Sequence, residues 1–172
     1  MRRALSTTLI AYPTLRKRLE EQGKPIVILP QLQEVNNLPC DTGFPRERLE
    51  ANPEYTGLDF SHLTPDWTSK QGFYGYDVPT LQARARWNRR WLRERPEKEI
   101  VVVAHGDCLR YITEGYNSHA PWENVEVREY TFVVDEEDDV DGEAVLTRVK
   151  KVVQDSSQGQ PSSSSDRFQG KY

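Results

Sequence analysis

His105 and its neighbours carry the clearest chemical signal in the chain. Ile100-Val101-Val102-Val103-Ala104 is an apolar, mostly β-branched run, which predicts a short buried strand. The run ends at His105, Gly106 allows a tight turn, and Cys108 to Glu114 reads as a helix. A histidine at the carboxyl end of a strand, beside a helix N-terminus, stands where open α/β sheets bind ligands. The helix end also favours anions. The arrangement implies a histidine that handles phosphate.

The surrounding elements are those that would hold such a residue. Leu5, Leu9, Tyr12, Leu15 and Leu19 recur at helical spacing and predict a helix over 2–22, kinked or broken near Tyr12 by Pro13 and stopped at Gly23. Ile26-Val27-Ile28-Leu29 predicts a strand closed by Pro30. Residues 36–78 are rich in Pro, Gly, Asn and Asp with little periodicity, which suggests a functional insertion or cap. A helix follows over 79–95, with Trp87, Trp91 and Leu92 as its apolar stripe and six arginines mostly facing solvent. Val125 to Val134 alternates like a half-exposed strand, Asp135 to Glu143 is an acidic turn, and Ala144 to Val153 returns to complete a hairpin. From 154 to 172 the chain lacks the apolar residues needed to fold and reads as a disordered tail. The order of elements predicts an α/β domain over 1–153 with helices on both faces of its sheet.

Composition narrows the function. With 172 residues, a net charge of −4 and a pI near 5.5, the chain is large enough for one core and is not a generic nucleic-acid binder. Mean hydropathy is −0.77, and no apolar run approaches the roughly 20 residues of a membrane span. The N-terminus does not pattern as a signal peptide, because Ser6, Thr7 and Thr8 interrupt any apolar stretch. Cys40 and Cys108 form neither a disulfide framework nor a zinc pattern, so a reducing, cytoplasmic setting is expected.

Three stretches, Arg3-Ala4-Leu5-Ser6-Thr7-Thr8, Leu32-Gln33-Glu34 and Val103-Ala104-His105-Gly106, together resemble the histidine phosphatase superfamily, the phosphoglycerate-mutase-like proteins. Leu38 to Gly43, Pro65-Asp66-Trp67, Trp91 to Pro96 and Arg128 to Phe132 look like segments of a fungal branch of it. The resemblance spans most of residues 2–135. It implies a three-layer sandwich around a mostly parallel sheet, and metal-free, cofactor-free phosphoryl transfer through a phosphohistidine. It also implies a small phosphorylated or anionic metabolite as ligand, with no membrane partner. By motif, Arg3 matches the family's second arginine, Glu34 its proton donor and His105 its second histidine, with Gly106 beside the phosphate. The logic is electrostatic: a phosphoryl group in flight spreads negative charge over its oxygens, and fixed cations and donors stabilise it.

One departure governs the functional reading. The family's nucleophile lies in an Arg-His-Gly motif on its first, central strand, and these residues contain no Arg-His-Gly. Ser6 stands where the family's second motif usually has glutamine. The chain therefore reads as either a truncated gene model or a diverged member, inactive as a phosphatase by itself or using its anion pocket for binding or acid–base chemistry. Without the central strand, two strand edges are left bare, so marginal stability or self-association is expected. Plainer readings stand beside each role: His105 as a turn residue, Arg3 as a frayed terminal arginine, Glu34 as a solvated loop acid. His62 and His119 read as surface residues, Cys108 as a core residue and Cys40 as a loop thiol.

Overall fold

A computed structural model describes residues 2–116, 119–133 and 142–149. The first helical stretch is two helices, α1 (Arg2–Ala11) and α2 (Pro13–Glu21). Tyr12 between them leaves helical geometry at φ −126° and ψ 51°, because the Pro13 ring disfavours the helical conformation in the residue before it. Gly23 ends α2 at φ +66°, a left-handed conformation that glycine adopts without steric cost.

The strand predicted over 26–29 shortens to β1 (Ile26–Val27). Its parallel partner lies inside the segment read as a functional insertion or cap. Residues 36–78 contain the short helix α3 (Arg46–Glu50), the strand β2 (Leu58–Asp59) and several single 3-10 turns. Ile26 pairs with Leu58 and Val27 with Asp59, and the Ile28 N–H donates to the Asp59 carbonyl at 2.9 Å. The segment buries Leu49, Tyr55, Phe60, Leu63, Trp67 and Tyr74 in one core cluster with Leu5 and Ile28. Apart from Leu49 in α3, the residues that the segment adds to this cluster pack from turns and loops, which have no fixed repeat.

Helix α4 (Val78–Arg93) is capped by Asp77, whose carboxylate accepts the Thr80 N–H, and Arg90 and Arg93 lie in its last turn where they complement the dipole. Its buried face differs from the predicted stripe: Leu81, Arg84, Ala85, Asn88 and Arg89 are buried, while Trp87, Trp91 and Leu92 are half-buried. Two of the arginines taken as solvent-facing are thus interior, each satisfied by backbone carbonyls. Helix α5 (Gly106–Glu114) packs on α4 through Cys108, Tyr111 and Ile112 and ends at Gly115, φ +77°.

The run over 100–104 departs most from expectation. It forms no ladder with any described strand, and Ile100 and Val101 are 41% and 50% exposed. Among the described residues no strand pairs with it, and it lines one groove together with Ile26–Leu29. The described sheets are therefore the parallel pair β1–β2 and an antiparallel hairpin of β3 (Tyr130–Phe132) and β4 (Leu146–Arg148). The hairpin lies within the two predicted strands but is shorter than either; Val125 and Val127, expected in the first, are 82% and 70% exposed. Residues 135–141 of the acidic turn over 135–143, and the whole tail over 154–172, lie outside the described residues. No described helix is long and apolar enough to cross a membrane.

Candidate oxyanion site

His105 is the N-cap residue of α5, with extended backbone at φ −109° and ψ 150°. Its side chain makes no capping hydrogen bond to the first N–H groups of α5, where the positive end of the helix dipole lies. The ring is buried, and its Nε2 has no hydrogen-bond partner among the described residues. Its Nδ1 lies 3.7 Å from Glu34 Oε2. That separation is a contact rather than a hydrogen bond.

Burial, reinforced by positive charges that include Arg3 and Lys70, pushes the His105 pKa down to about 4. The imidazole is neutral at physiological pH and the pair is not an ion pair. Burial also raises the Glu34 carboxyl above its ordinary value, helped by the nearby charges of Asp107 and Asp41 and opposed by the Val35 N–H, which donates to Oε1 at 2.9 Å. A carboxyl of raised pKa next to a neutral imidazole holds its proton more readily than an ordinary carboxylate does.

Arg3 reaches the edge of this cluster. Its Nη2 donates to Asp41 Oδ1 at 3.1 Å, with the arginine side chain 65% exposed and the aspartate buried. It acts on Glu34 and His105 through space and touches neither. Gly106 is the first residue of α5, and Trp122 lies against it. The tight turn expected there does not need glycine: its φ is not positive, and an added Cβ would meet Trp122 only at ordinary contact distance, 3.6 Å.

The loop carrying Glu34 is held by three side chains that were not singled out from the sequence. Asn88 Nδ2 donates to the Gln31 carbonyl at 3.0 Å, Arg84 Nη2 to the Gln33 carbonyl at 3.1 Å, and Lys70 Nζ to the Glu34 carbonyl at 2.8 Å. Gln33 Nε2 in turn donates to the Trp67 carbonyl at 2.9 Å. Lys70 takes φ +55°, a left-handed conformation uncommon for a non-glycine residue, and burial with Arg84 pushes its pKa down to about 8. The one signal available beforehand was Asn88 in the middle of a helix, where asparagine is a poor helix former.

His62 and His119 are exposed, with His62 edge-on to Trp91. Cys40 is exposed, and Cys108 is buried with its thiol pushed up to about 12 by burial, so it packs as an apolar residue. Among the described residues no group of three or more His, Cys, Asp or Glu side chains is arranged to hold a metal ion.

The chain is a mixed α/β protein with a histidine at a helix N-terminus, faced by a half-buried carboxyl. The model of the histidine phosphatase superfamily, branch 1, matches residues 4–130, and the chain belongs to that family. A probable phosphatase of Schizosaccharomyces pombe is 30% identical over 112 residues, which cover 64% of this chain and 50% of that protein. The chain thus spans about half the length of this curated relative. No solved structure matches significantly.

Proposed function

We propose that this chain carries the oxyanion pocket of a histidine phosphatase-type protein acting on phosphate esters of small metabolites. The observation that carries the reading is the buried, unpartnered His105 Nε2 at the N-terminus of α5, with Glu34 against the other ring nitrogen. In this reading His105 and the Gly106 N–H bind phosphate oxygens, Arg3 adds a cation at the rim, and Glu34 donates a proton to the leaving oxygen. The chain's acidic balance, net charge −4, fits a small phosphorylated ligand better than nucleic acid, and a cytoplasmic setting suits its free thiols.

The 172 residues contain no Arg-His-Gly, so this chain by itself forms no phosphohistidine. Incubation with p-nitrophenyl phosphate should give no turnover above background and no acid-labile phosphate on the protein. Robust turnover that disappears in His105→Ala would show that another residue serves as nucleophile. The same missing motif favours a second reading, in which the pocket binds an anionic metabolite or performs acid–base chemistry through His105 and Glu34. Saturable orthophosphate binding without hydrolysis fits that reading too, and proton exchange on a bound metabolite would distinguish it.

A further inference from the structure

Lys70 comes from the segment over 36–78, yet the residue is only 5% exposed. Its Nζ donates to the Glu34 carbonyl at 2.8 Å, and among the described residues its other two N–H donors have no partner. Arg84 of α4 is 2% exposed and donates to the Gln33 carbonyl at 3.1 Å and the Gly75 carbonyl at 3.5 Å. Two buried cations thus hold the adjacent carbonyls of Gln33 and Glu34, and among the described residues neither is paired with a carboxylate. The acidic groups that act on Lys70 do not supply the missing charge. Asp41 is engaged by Arg3, and burial shifts Glu34 towards its neutral form. A buried ammonium without a counter-ion is costly. Lys70 is also held from a left-handed backbone, φ +55°, which is unfavourable for a residue with a side chain. Both costs fall on one residue, bonded to the residue whose carboxyl faces His105.

We propose that Lys70 is a further ligand-binding residue of the His105 site, its ammonium taking an oxygen of a dianionic phosphate group through the two donors it leaves unused. The inference rests on the reading of that site as an oxyanion pocket. Arg84, committed to carbonyls, adds a second fixed charge beside it. The interior cation is then the principal one, because Arg3 is 65% exposed and tied to Asp41. A cation in a low-dielectric interior attracts an anion more strongly than one in solvent. Two such cations favour a dianion over a singly charged ligand. The ligand supplies the counter-ion that the described residues withhold.

The test is orthophosphate binding to the full chain, measured by calorimetry and by NMR of lysine side chains labelled with carbon-13 at Cε. Lys70→Gln removes the charge while keeping an N–H donor for the Glu34 carbonyl. It should weaken binding about tenfold or more, the worth of a charge-assisted hydrogen bond, and by more than Arg3→Ala does. In the free protein burial, reinforced by Arg84, lowers the Lys70 pKa to about 8. Orthophosphate should move that titration upward, because an adjacent dianion favours the charged form. The Cε signal reports Lys70 itself. Of the groups that face it, Glu34, Asp41, Arg84, His105 and Cys108, the histidine at about 4 and the thiol at about 12 change charge well away from this range. Binding that needs His105 but is unchanged in Lys70→Gln, or a Cε titration that orthophosphate does not move, would overturn the proposal and leave the pocket reading standing. No binding to the wild type would overturn both. If Lys70→Gln fails to fold, the wild-type Cε titration decides alone.

Discussion

Glu34 Oε2 and His105 Nδ1 sit 3.7 Å apart at the junction of two separate parts of the chain, one arriving from β1 and the other opening α5. Because the imidazole is held neutral by burial, the contact pairs a neutral base with a carboxyl of raised pKa. This relationship has a consequence for pH. The folded-state pKa of His105, about 4, lies below its ordinary 6.5, so the unfolded chain binds the proton more readily. Its contribution is fully present above 6.5 and is lost as pH falls toward 4. The loss amounts to about 3 kcal/mol. Glu34 acts in the opposite sense, losing stability as pH rises from 4.5 through its raised value. Melting curves between pH 7 and pH 4 should show a smaller fall in stability for His105→Asn than for the wild type.

The clamp on the Glu34 loop should be costly to break. Asn88→Ala removes the donor to the Gln31 carbonyl at 3.0 Å and leaves that part-buried acceptor without it, while the Arg84 carbonyl loses only its side-chain donor and keeps its helical N–H. Urea denaturation should show a loss of about 1–3 kcal/mol. A change within a few tenths would mean that water reaches these carbonyls.

Gly43 and Trp67 form a second structural pair. A Cβ at Gly43 would overlap the indole ring of Trp67, which is 1% exposed and fixed in the core. Gly43→Ala should therefore destabilise by about 1–3 kcal/mol. Gly43→Ala combined with Trp67→Phe should lose less than the sum of the two single changes, because the smaller ring makes room for the methyl group.

What was legible beforehand followed from local rules. The break at Pro13, the stop at Gly23, the helix over 78–93 and the hairpin are set by proline, glycine and periodicity, which act over a few residues. Glu34 and His105 were singled out from motif order and the structure brings them together, while Arg3 stays at the rim, held by Asp41. The partner strand of β1, the burial of Arg84 and Arg89, and the grip of Lys70 on Glu34 were not legible. Each depends on contacts distant in sequence, which leave no period behind. The apolar run over 100–104 has the sequence of a buried strand, yet a strand also needs a neighbour, and the described residues do not supply one.

The central claim is that the N-terminus of α5 and His105 bind a phosphate oxyanion, and titration with orthophosphate followed by amide and imidazole NMR tests it most directly. The account predicts saturable shifts at the Gly106 and Asp107 amides and at His105 Nε2, weakened in Arg3→Ala and abolished in His105→Ala. Shifts that are absent, or that survive His105→Ala unchanged, would contradict it.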